Sequence, residues 1–266
     1  MMVLETYNLH VGEGPLLISL PHVGTVIPDE LRHCFSAQAL HLDDTDWYLE
    51  ALYDFAKKLG ASLIVPKYSR YVIDLNRPPE NVPMYSGVNN TGLCPIQAFS
   101  GDQLYITDKA PTEPEIKVRL ETYWYPYHRA LAAELARIKS VHGYAILWDG
   151  HSIKSQLPWL FSGKLPDLNL GTASGASCDT TLSAALTHTL EQQSLYSHVL
   201  NGRFKGGYIT RHFGQPQQGI HAAQLEMCFS CYMRETLPYT LDQERCSVLA
   251  PVLQSLIRTL LEWCPT

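Results

Sequence analysis

One short stretch, residues 144–152, constrains the fold of this chain more than any other. Its first half, Tyr144-Ala-Ile-Leu-Trp, is an apolar run of strand-forming residues, and it ends abruptly in Asp149-Gly-His-Ser152. Polar side chains directly after such a run are typical of the end of a buried strand in an open α/β sheet, where functional sites lie. The stretch therefore predicts a central strand that delivers His151 to a functional site.

Two other apolar stretches end in the same way. Residues 15–20 lead into Pro21-His22-Val-Gly24, and residues 221–226 end at the carboxylate of Glu226. Since the carboxyl ends of parallel strands meet at one edge of a sheet, we expect the three polar ends to converge on one site.

The rest of the chain alternates between strand-like and helix-like segments. Further strands are predicted at 61–65, 71–75 and 198–200, helices at 43–60, 114–141, 180–194 and 242–263, loops at 78–114 and 158–178, and a turn, a strand and a loop at 201–214. Pro126 should kink or restart the long helix. This alternation predicts an α/β fold, a three-layer sandwich with a central mixed, mostly parallel sheet flanked by helices. The length of 266 residues predicts a single domain, 1–266.

Charge and cysteine content argue against several functional classes. The net charge is -6 and no lysine or arginine run occurs, so we expect no nucleic-acid partner. The N-terminus lacks a signal-peptide pattern and no membrane-spanning run is present, which predicts a cytoplasmic protein without a membrane partner. Seven irregularly spaced cysteines favour free thiols, and Cys228 and Cys231 are interpreted as buried structural thiols. Nothing in the sequence indicates the oligomeric state.

Three residues have the types and positions of metal ligands. Zinc hydrolases hold their ion with three ligands drawn from His, Asp and Glu, and His22, Asp46 and His151 fit that requirement at the ends of predicted elements. Asp43 and Asp44 are competing candidates for the carboxylate ligand, or helix-capping residues. Asp149 and Ser152 are candidates for orienting the His151 imidazole.

A carboxylate and several arginines complete the candidate site. Glu226 has apolar neighbours in sequence, where an unpaired charge is costly, so it is either a proton acceptor or one half of an ion pair. Arg70, Arg77 and Arg211 lie beside strand ends or Gly/Pro loops, where a guanidinium can bind a substrate carboxylate or form a structural salt bridge. Asn76 is a candidate polar contact to the substrate.

Successive sequence blocks resemble the N-formylglutamate amidohydrolase family from about residue 7 to residue 235. The most specific block is Arg70-x-x-x-Asp74-Leu-Asn-Arg77, which generic zinc enzymes do not share. The other blocks are Ser19-Leu-Pro-His-Val-Gly24, Asp44-Thr-Asp46, Asp149-Gly-His-Ser152, Thr210-Arg211 and Gln224-Leu-Glu-Met227.

The resemblance implies a zinc carboxypeptidase-like (phosphorylase/hydrolase-like) fold and one zinc ion. It implies His22, a first-helix carboxylate and His151 as ligands, with Glu226 as general base. The carboxypeptidase pattern places Glu three residues after the first histidine, whereas position 25 is Thr in this chain. Among Asp43, Asp44 and Asp46, we choose Asp46 as the carboxylate ligand.

The reaction that the resemblance implies is hydrolysis of N-formyl-L-glutamate to formate and L-glutamate, a step of histidine degradation. The partner would be a small-molecule N-acyl dicarboxylic amino acid. Arg77 and Arg211 are the first candidates for holding its two carboxylates, with Arg70 third, and one of these arginines could stabilise the developing oxyanion.

Other functions stay open at this point. The same zinc chemistry could act on N-acetylaspartate or N-succinylglutamate, and a metal-free protein could bind acidic amino acids through the arginines. A serine hydrolase is disfavoured because Ser152 lacks the G-x-S-x-G context. The same ligands accept cobalt, manganese or iron. The 78–114 loop could close over the substrate as a lid.

Overall fold

A mixed seven-stranded sheet forms the centre of the protein, as seen in a computed structural model that describes residues 5–83 and 89–265. The strands are β1 Tyr7–His10, β2 Leu16–Ser19, β3 Ser62–Pro66, β4 Ala145–Ile153, β5 Leu168–Gly171, β6 His198–Leu200 and β7 Ile220–Cys228, in the order β1-β3-β2-β4-β7-β5-β6. Four neighbouring pairs are parallel, and the β1–β3 and β5–β7 pairs are antiparallel. The predicted mixed, mostly parallel sheet is confirmed.

Helices cover both faces of this sheet. They are α1 Asp29–Arg32, α2 Leu49–Tyr53, α3 Phe55–Lys58, α4 Glu113–Arg119, α5 Tyr125–His142, α6 Thr180–Glu191, α7 Tyr208–Phe213 and α8 Gln243–Glu262. One buried cluster joins α2, α3, α6 and α8 to one face, and a second joins α5 and α7 to the other. The α/β sandwich predicted from the alternation of elements is therefore confirmed.

Side-chain alternation along β4 and β7 sets the position of the candidate site. On β4, Ile146 and Trp148 face the α8 side, while Ala145 and Leu147 face the α5 side. Continuing this period of two places Asp149 and His151 on the α5 side. Both strands run past the residues at which their ends were predicted, so these polar groups stand on regular strand backbone rather than in loops.

The long helix is interrupted beside its proline, as predicted. A π-helical turn, Leu120–Trp124, separates α4 from α5, and Pro126 sits in the first turn of α5. Proline lacks a backbone donor and its ring crowds the preceding turn, which explains why a regular α-helix cannot continue through it.

The helix predicted from Asp43 to Gly60 is wrong in its first half. Helix α2 begins only at Leu49, after Tyr48 adopts a left-handed conformation with φ of 65°. The preceding segment is held as a loop, since the Asp46 backbone N–H donates to the His22 carbonyl over 3.0 Å. Asp46 therefore lies before the helix, next to His22, and not in a first helical turn.

Three further sequence-based assignments are corrected by the structure. The strand predicted at 71–75 is a buried run of turns, tied by the Asp74 N–H donating to the Leu93 carbonyl. The segment 201–214 contains helix α7 where a strand was expected, and the loop predicted at 158–178 contains β5. Burial of an irregular segment and burial of a strand select the same apolar residues, so pattern alone does not separate them.

The cysteines are free thiols, as their spacing predicted. All seven cysteines are free, and burial raises the pKa of Cys231 to about 12, which leaves its thiol protonated and inert. Among the helices of the described residues, none combines the length and apolar character that crossing a membrane requires.

Candidate metal centre and active site

Two histidines and one aspartate converge at the carboxyl ends of β2 and β4. The Nδ1 atoms of His22 and His151 lie 3.2 Å apart. Asp46 Oδ2 lies 3.7 Å from Nδ1 of His22 and 3.3 Å from Nδ1 of His151. The structure thus brings together the three side chains that the sequence predicted as metal ligands.

These separations fit a tetrahedral ion. Ligand atoms about 2.0–2.1 Å from a tetrahedral zinc ion lie about 3.3–3.4 Å from one another, close to the three distances between the candidate ligand atoms. Asp46 is 1% exposed, yet neither of its carboxylate oxygens has a well-aligned hydrogen-bond donor within the described part of the chain. A carboxylate this buried requires a cation beside it, and two imidazole nitrogens with one carboxylate oxygen are a donor set that a divalent metal ion accepts.

The neighbouring aspartates are committed to other contacts. Asp44 Oδ2 accepts a hydrogen bond from the Phe99 backbone N–H over 2.9 Å, and burial raises the pKa of Asp44 to about 6. Asp43 Oδ1 accepts from the Tyr239 hydroxyl over 2.7 Å. Of the three aspartates considered from the sequence, only Asp46 faces both histidines.

An aspartate and an arginine fix the orientation of His22. Nε2 of His22 donates to Asp74 Oδ1 over 2.8 Å, and Arg70 donates to Asp74 Oδ2 over 2.6 Å. Burial and then the Arg70 charge lower the pKa of His22, while Arg70 and His22 hold the pKa of Asp74 well below its ordinary value against the effect of burial. His22 is therefore neutral with Nδ1 available, which is the form that binds a metal.

His151 is held by a second carboxylate. Its Nε2 lies 3.1 Å from Asp149 Oδ2, which also accepts from the Thr210 hydroxyl and from the Asn76 amide. Burial opposes the charged imidazole, but Asp149 and then Asp46 outweigh it and raise the pKa of His151 well above its ordinary value. A metal that binds Nδ1 of His151 must therefore displace a proton.

Ser152 does not take the orienting role considered for it. It lies on the opposite side of β4 from His151, and its hydroxyl accepts a hydrogen bond from Tyr232 over 2.8 Å. Alternation along the strand explains this placement, because adjacent residues point to opposite faces.

Glu226 stands beside His151 in the sheet. The parallel register of β4 and β7 pairs His151 with Glu226 and Asp149 with Gln224. Burial raises the pKa of Glu226 to about 8, the His151 charge opposes this rise, and the Asp46 charge adds to it. A carboxyl with a pKa near neutrality can both accept and return a proton at physiological pH.

His22, His151 and Glu226 line one cavity at this edge of the sheet. Arg70, Asn76 and Arg77, which were proposed from the sequence to bind substrate, are among the residues that line it. Arg70 also stacks on Phe99, 4.5 Å from the ring centroid. Arg211 is placed differently: it is exposed on α7, donates to the Gly206 carbonyl over 2.8 Å, and is not part of the cavity lining. Arg211 therefore does not line the cavity, although its neighbour Thr210 donates to Asp149 in the site.

The sequence is similar to proteins of one known family. A sequence profile described as N-formylglutamate amidohydrolase matches residues 14–233. The chain belongs to the N-formylglutamate amidohydrolase family. It is 50% identical over 97% of both chains to an N-formylglutamate deformylase of Pseudomonas putida, and 48% identical over 97% of both chains to one of Pseudomonas aeruginosa.

Solved structures share the fold across the whole chain. The crystal structure of an N-formylglutamate amidohydrolase from Ralstonia eutropha has a TM-score of 0.82 at 23% identity and covers 97% of both chains. The structure of a gene product from Agrobacterium tumefaciens has a TM-score of 0.73 at 17% identity, over 96% of this chain and 95% of that one.

The cavity lining includes polar residues that sequence reasoning did not predict as site residues, among them Arg203 and Gln224. Arg203, after β6, lines the cavity, and the only signal for it is an arginine in a glycine-rich turn. Gln224 also lines it, and its Oε1 accepts from the Gly207 N–H over 2.7 Å. Gly207 itself must be glycine, because a Cβ there would lie 2.3 Å from the Asn76 amide.

Proposed function

We propose that this chain is a metal-dependent amidohydrolase that converts N-formyl-L-glutamate and water to formate and L-glutamate. The single observation that carries the metal part is the spacing of His22 Nδ1, His151 Nδ1 and Asp46 Oδ2, each 3.2–3.7 Å from the next. The substrate is inferred from the family and from relatives about half identical to this chain.

His22, Asp46 and His151 would hold one divalent ion, and zinc suits two imidazoles with one carboxylate. Such an ion, when bound, supplies a Lewis acid that polarises a carbonyl and lowers the pKa of water. Asp74 and Asp149 keep each imidazole turned with Nδ1 toward Asp46, so the chain itself orients the donor atoms.

Glu226 would carry the proton through the reaction. Its carboxylate accepts a proton from the water whose oxygen forms a bond to the formyl carbon. The same group returns that proton to the amide nitrogen as the C–N bond breaks, which releases formate and the amine of L-glutamate. Its position beside His151 and its pKa near 8 support both steps.

The arginines beside Asp74 would bind the carboxylate next to the scissile amide. Arg77 Nη1 lies 3.9 Å from Asp74 Oδ2, so its guanidinium stands close to the residues that orient His22. Arg70 is 5% exposed and anchored by Asp74 and Phe99, which aims a fixed positive charge at the reacting end of the cavity. The reaction would place the enzyme in histidine degradation, as its family resemblance implies.

The decisive experiment measures formate release from N-formyl-L-glutamate, with N-acetyl-L-aspartate assayed in parallel for acetate release. The purified protein is assayed as prepared, after removal of metal with a chelator, and after zinc is restored. We expect turnover of the formyl substrate that is lost with the metal and returns with zinc. Faster acetate release would favour another N-acyl amino acid as substrate, and binding of acidic amino acids without metal or turnover would favour a binding protein.

A further inference from the structure

The arginines that line the cavity come from segments that follow two well-separated strands of the sheet. Arg70 and Arg77 lie in the segment after β3, whereas Arg203 follows β6. In the strand order, β2, β4, β7 and β5 lie between β3 and β6, and the first three of these carry His22, His151 and Glu226 at or near their carboxyl ends. The candidate reacting centre therefore lies between the two groups of arginines.

The arginines on the β3 side are tied to that centre. Arg70 donates to Asp74 over 2.6 Å, and Asp74 accepts from His22 over 2.8 Å. Arg77 is 3.9 Å from the same carboxylate. Both guanidinium groups therefore lie beside the carboxylate that accepts a hydrogen bond from the candidate metal ligand His22.

Arg203 stands in different surroundings. Its Nη2 donates to the Leu160 carbonyl over 3.1 Å, and its guanidinium carbon is 5.9 Å from the centroid of the Phe204 ring. Leu160 and Phe204 are half-buried and line the same cavity. This wall offers apolar surface together with a cation, which matches an aliphatic chain that ends in a carboxylate.

The proposed substrate has two carboxylates in unequal positions. One is on the carbon that carries the scissile amide, so it must bind beside the reacting centre. The other is at the end of a flexible aliphatic side chain and must bind further away.

We propose that Arg203 binds the side-chain carboxylate and thereby selects N-formylglutamate over the N-formyl derivatives of neutral amino acids. This inference rests on the proposed function and adds to it the residue that sets specificity. A guanidinium and a carboxylate form charge-assisted hydrogen bonds, and an isosteric amide cannot replace the charge.

The matched substrate pair is N-formyl-L-glutamate and N-formyl-L-glutamine, which have nearly the same shape and differ in the side-chain charge. We expect the wild-type protein to favour the acid by at least ~100-fold in kcat/KM, and Arg203→Gln to reduce this ratio to within about tenfold. Because Arg203 lies away from the reacting atoms, the loss should appear in KM rather than kcat.

Lys205→Gln is the matched control, since Lys205 is an exposed cation in the same segment that does not line the cavity. It should keep the wild-type preference. If Arg203→Gln keeps the preference of the wild type, or Lys205→Gln loses it equally, the inference is overturned even though the wild-type enzyme hydrolyses the formyl substrate.

Calorimetric binding of L-glutamate and L-glutamine separates this inference from the proposed function. If neither the wild type nor any variant releases formate, the proposed function fails. The affinities for L-glutamate and L-glutamine then decide whether Arg203 binds the side-chain carboxylate. Arg203→Gln should then weaken L-glutamate binding about tenfold or more and leave L-glutamine binding unchanged, which also shows that the cavity is intact. Equal affinities for L-glutamate in wild type and Arg203→Gln would overturn the inference.

Discussion

The two sides of the cavity are built differently. On the side formed by β3, β2 and β4, which we call the β3 side, a buried polar network joins residues that are all between 0% and 5% exposed: His22, Arg70, Asp74, Asn76, Asp149 and His151. On the β6 side, Arg203, Leu160 and Phe204 are half-buried, and Arg203 and Leu160 are joined by a hydrogen bond from side chain to backbone.

This difference separates two tasks. Groups that must hold reacting atoms within a fraction of an ångström need neighbours that fix each rotamer, and strand backbone and buried carboxylates provide them. A group that recognises one end of a substrate can stand on a loop, because its task tolerates adjustment. Changes on the β3 side should therefore affect both stability and turnover, and changes on the β6 side should affect selectivity alone.

Removing the carboxylate that faces both histidines should have the largest effect. Asp46→Ala should lower kcat/KM for N-formyl-L-glutamate by at least ~1000-fold, since loss of the ion removes several kcal/mol of transition-state stabilisation. Asp43→Asn is the control, because an amide oxygen there can still accept from Tyr239, and it should stay within about threefold of wild type. Comparable losses in the two variants would contradict the assignment of Asp46.

The second largest effect should be a difference in the free energy of unfolding between variants on the two sides of the cavity. Arg70→Gln removes the guanidinium that lies 2.6 Å from the fully buried Asp74 and should lower the free energy of unfolding by about 3–5 kcal/mol. Arg203→Gln, at a half-buried position, should change it by less than about 1 kcal/mol. Urea unfolding of the metal-free wild type and of both metal-free variants measures these free energies. Equal losses in the two variants would show that the two sides are not built differently.

Replacing Asp149, the carboxylate that contacts Nε2 of His151, should reduce turnover less than replacing Asp46. Asp149→Asn keeps the shape of the side chain but weakens the hydrogen bond that orients the imidazole. Metal affinity or kcat/KM should fall about 10–100-fold. Competition with a chromogenic chelator measures the affinity, and an unchanged value together with unchanged turnover would exclude this positioning role.

The smallest expected effect concerns His128 on α5 and the pH dependence of the free energy of unfolding. His128 donates to the Leu75 carbonyl over 2.8 Å and stacks on Trp124, and burial lowers its pKa to about 3. Unfolded chains protonate histidine below about pH 6.5 while the native His128 stays neutral, so stability is lost as pH falls from 6.5 toward 3, by at most about 1.4 kcal/mol per pH unit.

His128→Phe should make the free energy of unfolding less dependent on pH between 6.5 and 5 than in the wild type. The control is His188→Gln, since the His188 side chain is 71% exposed, and this variant should keep the wild-type slope. Identical slopes in all three proteins would show that His128 does not titrate as described.

The sequence predicted the parts of the molecule that depend on local pattern. The apolar runs before His22 and His151 gave two of the central strands, and their polar ends gave the two imidazoles of the candidate site. Pro126 predicted the break between α4 and α5, and Asp242 the start of α8. In each case the residues that set the structure are neighbours in sequence.

The remaining features depend on contacts that are distant in sequence. Asp46 faces His22 because its backbone is bonded to the His22 carbonyl, a contact that no helix pattern reveals. Arg203, which follows β6, lines the cavity and donates to the distant Leu160 carbonyl, whereas Arg211, on α7, is not among the lining residues. Spacing along the chain did not distinguish these two arginines.

The most direct test of the central claim is a zinc titration of metal-free protein, followed by the rate of formate release from N-formyl-L-glutamate. We expect the rate to rise with added zinc and to level off near one equivalent. Glu226→Gln should bind the same single equivalent with a rate at least ~100-fold lower. A rate that is already full without metal, or that does not respond to zinc, would contradict a metal centre at His22, Asp46 and His151.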